Sequence, residues 1–269
     1  MIINGLLGDT INASDRGLMY GDGVFRTLLL RQGMPLHWQQ HYHKLQHDCA
    51  AIGIICPSIQ LLGSELAQLA ESQPDAIAKI VITRGQATRG YAPAANPQIT
   101  RILSTSSLPQ YPDSYATQGI SVHICKLRLG YQPRLAGIKH LNRLENVLAA
   151  AEWNDANIAE GVMLDQEDHV IECTRSNLFM VRDDKLFTPD LSRCGVAGLQ
   201  RERVIDYARQ QRMICKITEL TMDDLLAADE IFIVNSVIGL WPVREMHRFG
   251  AKNFPVSLQI QEWLNNESN

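Results

Sequence analysis

The run from Glu172 to Arg201 constrains this chain more than any other. It reads Glu172-Cys-Thr-Arg-Ser-Asn177-Leu-Phe179, continues through Leu186-Phe-Thr188, and closes on Val196-Ala-Gly198-Leu199-Gln-Arg201. Apolar residues at Val170–Cys173, Leu178–Val181 and Leu186–Thr188 come in strand-length clusters separated by polar turns. Gly198-Leu199 then opens a segment, Gln200–Gln211, with helical spacing. Strand, turn, strand, strand and helix start are thus packed into thirty-odd residues, with an acid, an Asn, an aromatic and a Gly at set intervals.

Around this run the periodicity predicts further elements. Strands are expected at Met1–Asn4, Gly23–Arg31, Ala78–Thr83, Ile99–Ser104, Ile120–Lys126, Gly161–Asp165, Met213–Glu219 and Glu230–Asn235. The three segments 161–165, 170–173 and 178–181 read as a meander. Helices are expected at His37–Ile52, Ser58–Ala70, about His140–Trp153, and Thr221–Leu226, where Thr221 and Asp224 have capping-box spacing. Strand runs mixed with helices, without a βαβ repeat, indicate an α+β chain. The stretch 108–117 has prolines and small polar residues but no periodicity, and reads as a linker between a smaller domain, 1–107, and a larger one, 118–269.

Composition excludes several classes of function. A net charge of -4 without a Lys/Arg run argues against a nucleic-acid or anionic-membrane surface. No apolar stretch is long enough to span a bilayer, and Met1–Arg16 lacks the pattern of a secretory leader, so a cytoplasmic protein is expected. The six cysteines are scattered, with no CxxC pair, which favours reduced buried thiols over a zinc site or a disulfide framework.

The Glu172–Arg201 run resembles the signature of the fold-type IV pyridoxal-phosphate enzymes, the family of branched-chain and D-amino-acid aminotransferases and of 4-amino-4-deoxychorismate lyases. Other positions match in the same order: Ser14-Asp15-Arg16, Tyr20-Gly21-Asp22-Gly23-Val24-Phe25, Arg84-Gly85, Arg89-Gly90-Tyr91, Leu135-Ala-Gly-Ile-Lys139-His-Leu-Asn-Arg, and Val234-Asn235-Ser236 through Pro242-Val243. The segment Leu135–Leu148 and the Arg89-Gly90-Tyr91 turn resemble the lyases most. The resemblance implies a two-domain α+β fold with the cofactor in a cleft between the domains, a homodimer, and conversion of 4-amino-4-deoxychorismate to 4-aminobenzoate and pyruvate. A transaminase of the same fold is the close alternative, and a cofactor-free binding protein the alternative from another class.

The resemblance also assigns residues. Of seven lysines, Lys139 matches the one that bonds the cofactor's aldehyde. Its approach, Leu135-Ala-Gly-Ile, is apolar, and desolvation makes an amine more nucleophilic. Glu172 matches the carboxylate that keeps the cofactor's ring nitrogen protonated. Gly198 and Leu199 match the helix start that binds the phosphate, with Ser236 and Asn235 beside it. Lys44 stands where the family usually has Arg in an H-x-x-R-L pattern; it is either a point-charge phosphate contact or an exposed helix lysine. Thr27 matches a threonine near the reacting carbon in the lyases, though threonine is also common in strands for its shape alone. Arg89 matches a substrate-carboxylate ligand, or is a surface charge on a Gly-flanked loop. Arg26, next to Thr27, points to the other face of a strand and is left out.

Overall fold

The computed structural model describes residues 1–86 and 90–266. These fall into two compact units. The first comprises Met1–Pro109 and the short insert Ile138–Asn142; the second comprises Gln110–Gly137 and the chain from Arg143 onward. The segment bearing Lys139 therefore belongs to the first unit although its flanks belong to the second.

The first unit is built from β1 (Ile2–Ile3), β2 (Leu6–Leu7), α1 (Arg16–Tyr20), β3 (Gly23–Arg31), β4 (Met34–Pro35), α2 (Trp38–Ala51), α3 (Ile59–Ser72), β5 (Ala76–Thr83) and β6 (Thr100–Ser106). The strands form one antiparallel sheet in the order β2-β1-β6-β5-β3-β4. Alternation decides its two faces. Val24, Leu28 and Leu30 of β3, with Ala78, Ile80 and Ile82 of β5, turn toward α2 and α3 and bury against Leu45, Cys49, Leu62 and Leu66. The opposite face carries Phe25, Thr27 and Leu29 of β3, all half-buried. Ser58 caps α3 by accepting from the Leu61 N–H at 3.2 Å, so the helix begins one residue after the Ser58 start expected from the sequence and runs on to Ser72.

The second unit contains α4 (Ser114–Thr117), β7 (Ile120–Leu129), α5 (Leu144–Ala150), β8 (Ile158–Asp165), β9 (Val170–Cys173), β10 (Asn177–Arg182), β11 (Lys185–Pro189), α6 (Leu199–Gln210), β12 (Cys215–Thr218), α7 (Met222–Leu226), β13 (Glu230–Asn235), β14 (Gly239–Met246), β15 (Phe249–Gly250) and α8 (Pro255–Asn266). Its sheet runs β12-β11-β10-β13-β14-β7-β8-β9, with β15 on β14. The β11/β12, β14/β7 and β7/β8 pairs are parallel and the rest antiparallel. Both faces are covered: Phe179, Val181, Phe232 and Val234 pack against α6 and α8, whereas Leu178, Met180, Ile231 and Ile233 enter a second core with Ile120, Val162 and Trp241. Burial on both sides is why β10 and β13 read as continuous apolar runs.

Two expectations change. The meander is broken: β9 pairs with β8, but β10 pairs with β11 and β13. The turn Thr174–Ser176 redirects the chain, with Thr174 donating from its N–H to Gly161 O (3.0 Å) and both Thr174 and Ser176 hydroxyls donating to the buried Glu160 carboxylate. The helix expected from about His140 begins only at Leu144. Before it, the chain is extended along β3, with Phe25 N–H donating to Lys139 O at 3.0 Å and Leu141 N–H to Gly23 O at 2.9 Å, and strand pairing excludes helical dihedrals there.

Candidate active site

Lys139 is fixed by its backbone before its side chain is considered. Ile138 is buried in the core of the first unit. The Lys139 carbonyl accepts from Phe25 N–H, and its own N–H donates to Asp48 Oδ2 at 3.1 Å. Asp48 lies on α2 and is 1 % exposed; the same carboxylate oxygen pairs with the guanidinium of Arg26, 3 % exposed, through a short contact. With the backbone anchored this way, the Lys139 ammonium sits 4.7 Å from the centre of the Phe25 ring. Thr27 lies two residues along β3 on the same face as Phe25. The structure thus brings Lys139, Phe25 and Thr27 to one side of the sheet.

Arg26 does point to the other face. There it pairs with the buried Asp48 carboxylate, and it also donates to Lys44 O at 3.3 Å. Lys44 is half-buried on α2. Asp48 was legible as a carboxylate on the apolar stripe His41, Leu45, Asp48 of an amphipathic helix, a pattern that calls for a buried partner.

Arg89 lies outside the described residues. The turn that follows it is held firmly: Arg16 donates to Gly90 O at 3.0 Å and to Tyr91 O at 2.7 Å, and the Tyr20 and Tyr91 rings pack tilted at 57° with centres 5.3 Å apart. Asp22 bridges Arg16 (2.7 Å) and Arg84 (2.8 Å). Burial raises the Asp22 carboxyl, but the hydrogen bonds and charges of Arg84 and Arg16 outweigh it and hold the group below its usual value.

In the second unit, Glu172 is 4 % exposed on β9, and its Oε2 accepts from Val196 N–H at 2.8 Å. Asn177 clamps the same loop, donating to Val196 O (2.8 Å) and accepting from Gly198 N–H (3.0 Å). Gly195 has φ +84°, and a Cβ at Gly198 would lie 2.4 Å from Asn177 Oδ1, so both glycines are required. Gly198 is the N-cap of α6 and brings no side chain to cap it, which leaves N–H groups at Leu199 and beyond directed at whatever precedes the helix. Asn235 accepts from Val237 and Ile238 N–H (2.8 and 3.0 Å) and donates to Ser176 Oγ (3.0 Å), shaping the turn on which Ser236 is half-buried. Arg143 is a further charge that the motif reading did not single out. Burial pulls its guanidinium below its ordinary value, and the carboxylates of Glu172 and Glu145 oppose that shift.

Chemically, the first unit offers a backbone-anchored primary amine on the sheet face that also carries the Thr27 hydroxyl. The second offers a buried carboxylate and an uncapped helix start suited to a dianion. An amine for an aldehyde, a carboxylate for a pyridine nitrogen and N–H groups for a phosphate are the donors that pyridoxal phosphate needs, and these residues fit it.

Comparison with known proteins agrees. The crystal structure of 4-amino-4-deoxychorismate lyase from Pseudomonas aeruginosa matches with a TM-score of 0.94 and 41% identity, covering 98% of both chains. Aminodeoxychorismate lyase of Vibrio harveyi is 37% identical over 90% of this chain and 89% of its own. A putative branched-chain-amino-acid aminotransferase of Methanocaldococcus jannaschii is 28% identical over 88% of this chain and 82% of its own. The model of the amino-transferase class IV family matches residues 23–246, and the chain belongs to that family.

Proposed function

We propose that this protein is a pyridoxal-phosphate-dependent lyase that converts 4-amino-4-deoxychorismate to 4-aminobenzoate and pyruvate, a step toward folate. The observation that carries the reading is the whole-chain likeness to two such lyases, closer than that to the aminotransferase. Threonine at position 27, beside the lysine, supports the same choice, because proton movement to a departing enol calls for a hydroxyl there.

When bound, pyridoxal phosphate supplies an aldehyde that captures the substrate amine and a protonated ring that accepts the electron pair of the adjacent C–H bond. Lys139 would hold the cofactor through its Nζ, and its amine would be free to act as a base once the substrate amine is bound. The Lys139 amine then removes the proton from the ring carbon bearing nitrogen. The enolpyruvyl C–O bond at the neighbouring carbon breaks, and the ring becomes aromatic. Lys139, with the Thr27 hydroxyl beside it, returns the proton to the leaving enol, so that no proton is gained or lost overall. Glu172 keeps a proton on the ring nitrogen, its second oxygen being fixed by Val196 N–H. Gly198, Leu199 and Ser236 bind the phosphate, Asn235 shapes the Ser236 turn, and Lys44 adds a point charge. Arg89 meets a substrate carboxylate.

The working protein is a homodimer in this reading. Leu144, Val147 and Leu148, all exposed, form an apolar stripe on α5 that a second copy would cover. A cytoplasmic setting suits its six free thiols. Among the described residues no helix is long and apolar enough to cross a membrane. The test is to supply purified, cofactor-loaded protein with aminodeoxychorismate and follow 4-aminobenzoate and pyruvate. Equimolar release supports the lyase. Rapid amino exchange between D-alanine or leucine and a keto acid, with no pyruvate from aminodeoxychorismate, would make it a transaminase.

A further inference from the structure

Glu160 is 1 % exposed on β8, a buried charge that the reaction itself does not use. Its partners among the described residues all donate. They are the Thr174 hydroxyl, the Ser176 hydroxyl at 3.1 Å, the Gly161 N–H at 3.1 Å and the exposed Arg175 guanidinium at 3.3 Å. A carboxylate has no proton to give, so it decides which way its neighbours point. The Ser176 proton is committed to Glu160 Oε2, and the Ser176 oxygen is left to accept from Asn235 Nδ2 at 3.0 Å. That contact orients the Asn235 amide. Its oxygen then faces the N–H groups of Val237 and Ile238, at 2.8 and 3.0 Å. Reversed, the amide would set its NH2 group against two backbone donors. A hydrogen-bond chain of fixed polarity thus runs from the buried Glu160 charge to the turn that carries Ser236.

We infer that Glu160 is a positioning residue for the cofactor phosphate, acting through Ser176 and Asn235 on the Ser236 hydroxyl. The inference rests on the reading that Ser236 meets the phosphate. Strand register explains the route. Asn177 lies opposite Val234 in the antiparallel β10/β13 pair, so Ser176, one residue earlier, falls beside Asn235, one residue later. Adjacent residues therefore serve two parts of the phosphate site. Asn177 clamps Val196 and Gly198 at the start of α6, and Ser176 holds the Ser236 turn through Asn235. Ser176 and Asn177 are 5 % and 6 % exposed, so little water competes for these contacts. In such a site each hydrogen bond polarises the next, and a charged acceptor at one end stiffens the whole chain. A hydroxyl held in place before the anion arrives binds it without the cost of ordering the turn.

The test loads wild type and variants with pyridoxal phosphate and, separately, with pyridoxal, which lacks the phosphate. Cofactor loss is followed by absorbance, and the bound phosphate by its 31P resonance. Ser176→Ala breaks the chain, and Ser236→Ala removes the contact at its end. Both should lose pyridoxal phosphate about tenfold faster than wild type, lose pyridoxal at the wild-type rate, and shift the phosphate resonance. Glu160→Asp, which draws the carboxylate back by one methylene, should act in the same direction. Ser176→Thr keeps the hydroxyl and should keep the wild-type ratio of the two rates. Thr174→Val also takes a donor from Glu160 but leaves the chain intact, and it too should keep that ratio. A wild-type ratio in both Ser176→Ala and Glu160→Asp, with faster phosphate-dependent loss in Ser236→Ala, would overturn the inference and leave Ser236 as a phosphate ligand. Equal acceleration with both cofactors in Ser176→Ala would overturn it as well, marking a purely structural contact. A wild-type ratio in Ser236→Ala would remove Ser236 from the phosphate site and the inference with it. No turnover is read, so the result is the same for a lyase and for a transaminase.

Discussion

Replacing Asp48 tests how Lys139 is aimed. Asp48 and Arg26 are 1 % and 3 % exposed, and one carboxylate oxygen serves both Arg26 and the Lys139 N–H. Removing one member of a buried ion pair strands the other, at about 3–5 kcal/mol. Asp48→Asn keeps the shape but leaves Arg26 uncompensated, so thermal unfolding should fall by roughly 10 °C. The Lys139 N–H also loses a charged acceptor, worth about 1.5 kcal/mol or more, which corresponds to roughly tenfold in kcat if the amine is misplaced. The double change Arg26→Met with Asp48→Leu separates the two effects. Apolar replacement of a buried pair is often neutral for stability, so the melting temperature should recover while kcat stays low. Calorimetry and steady-state kinetics on the three proteins read both quantities. An Asp48→Asn variant as stable and as active as wild type would refute the reasoning, and so would full activity in the double variant.

Further outcomes follow from the site. Glu172→Gln should still accept cofactor on Lys139 but turn over about ten- to a hundredfold more slowly; undiminished turnover would remove Glu172 as the ring-nitrogen partner. Lys44→Ala should weaken cofactor retention on dialysis and Lys44→Arg should keep or improve it, whereas unchanged retention in Lys44→Ala would mark an exposed-face lysine. Arg89→Ala should raise KM with the cofactor spectrum unaltered, and Thr27→Ala should lower kcat more than binding. Asp22, held below its usual value, contributes stability that is complete above the ordinary aspartate range near about 3.9 and is lost only as pH falls through its own lower value. Melting curves from pH 6 to 3 should accordingly fall less steeply in Asp22→Asn than in wild type, from a lower starting point; parallel curves would exclude the Arg16–Asp22–Arg84 bridge as an acid-sensitive element.

Much of the fold was legible where local pattern and tertiary packing agree. The strands at Gly23–Arg31, Val170–Cys173 and Glu230–Asn235 have the boundaries that periodicity gives them, and Thr221 and Asp224 form the expected capping box. What was illegible depends on partners distant in sequence. β14 is interrupted by Pro242, which argues against an interior strand, yet it pairs with both β13 and β7. The start of α8 is capped by Glu230, whose carboxylate accepts from Val256 and Ser257 N–H at 2.9 and 2.8 Å, a contact no local motif announces. At the site, Lys139 and Glu172 stood out because the chemistry needs an amine and a carboxylate in recognisable runs. Arg143 did not: only the fold brings its charge within reach of Glu172, twenty-nine residues on.

Everything proposed for the reaction starts from cofactor bonded to Lys139. The most direct measurement is borohydride reduction of the cofactor-loaded protein, followed by proteolysis and peptide mass mapping. The account expects a single pyridoxyl group on Lys139, in the peptide containing Ala136-Gly137-Ile138, and none in Lys139→Ala. A pyridoxyl group on any of the other lysines, with Lys139 unlabelled, would contradict it.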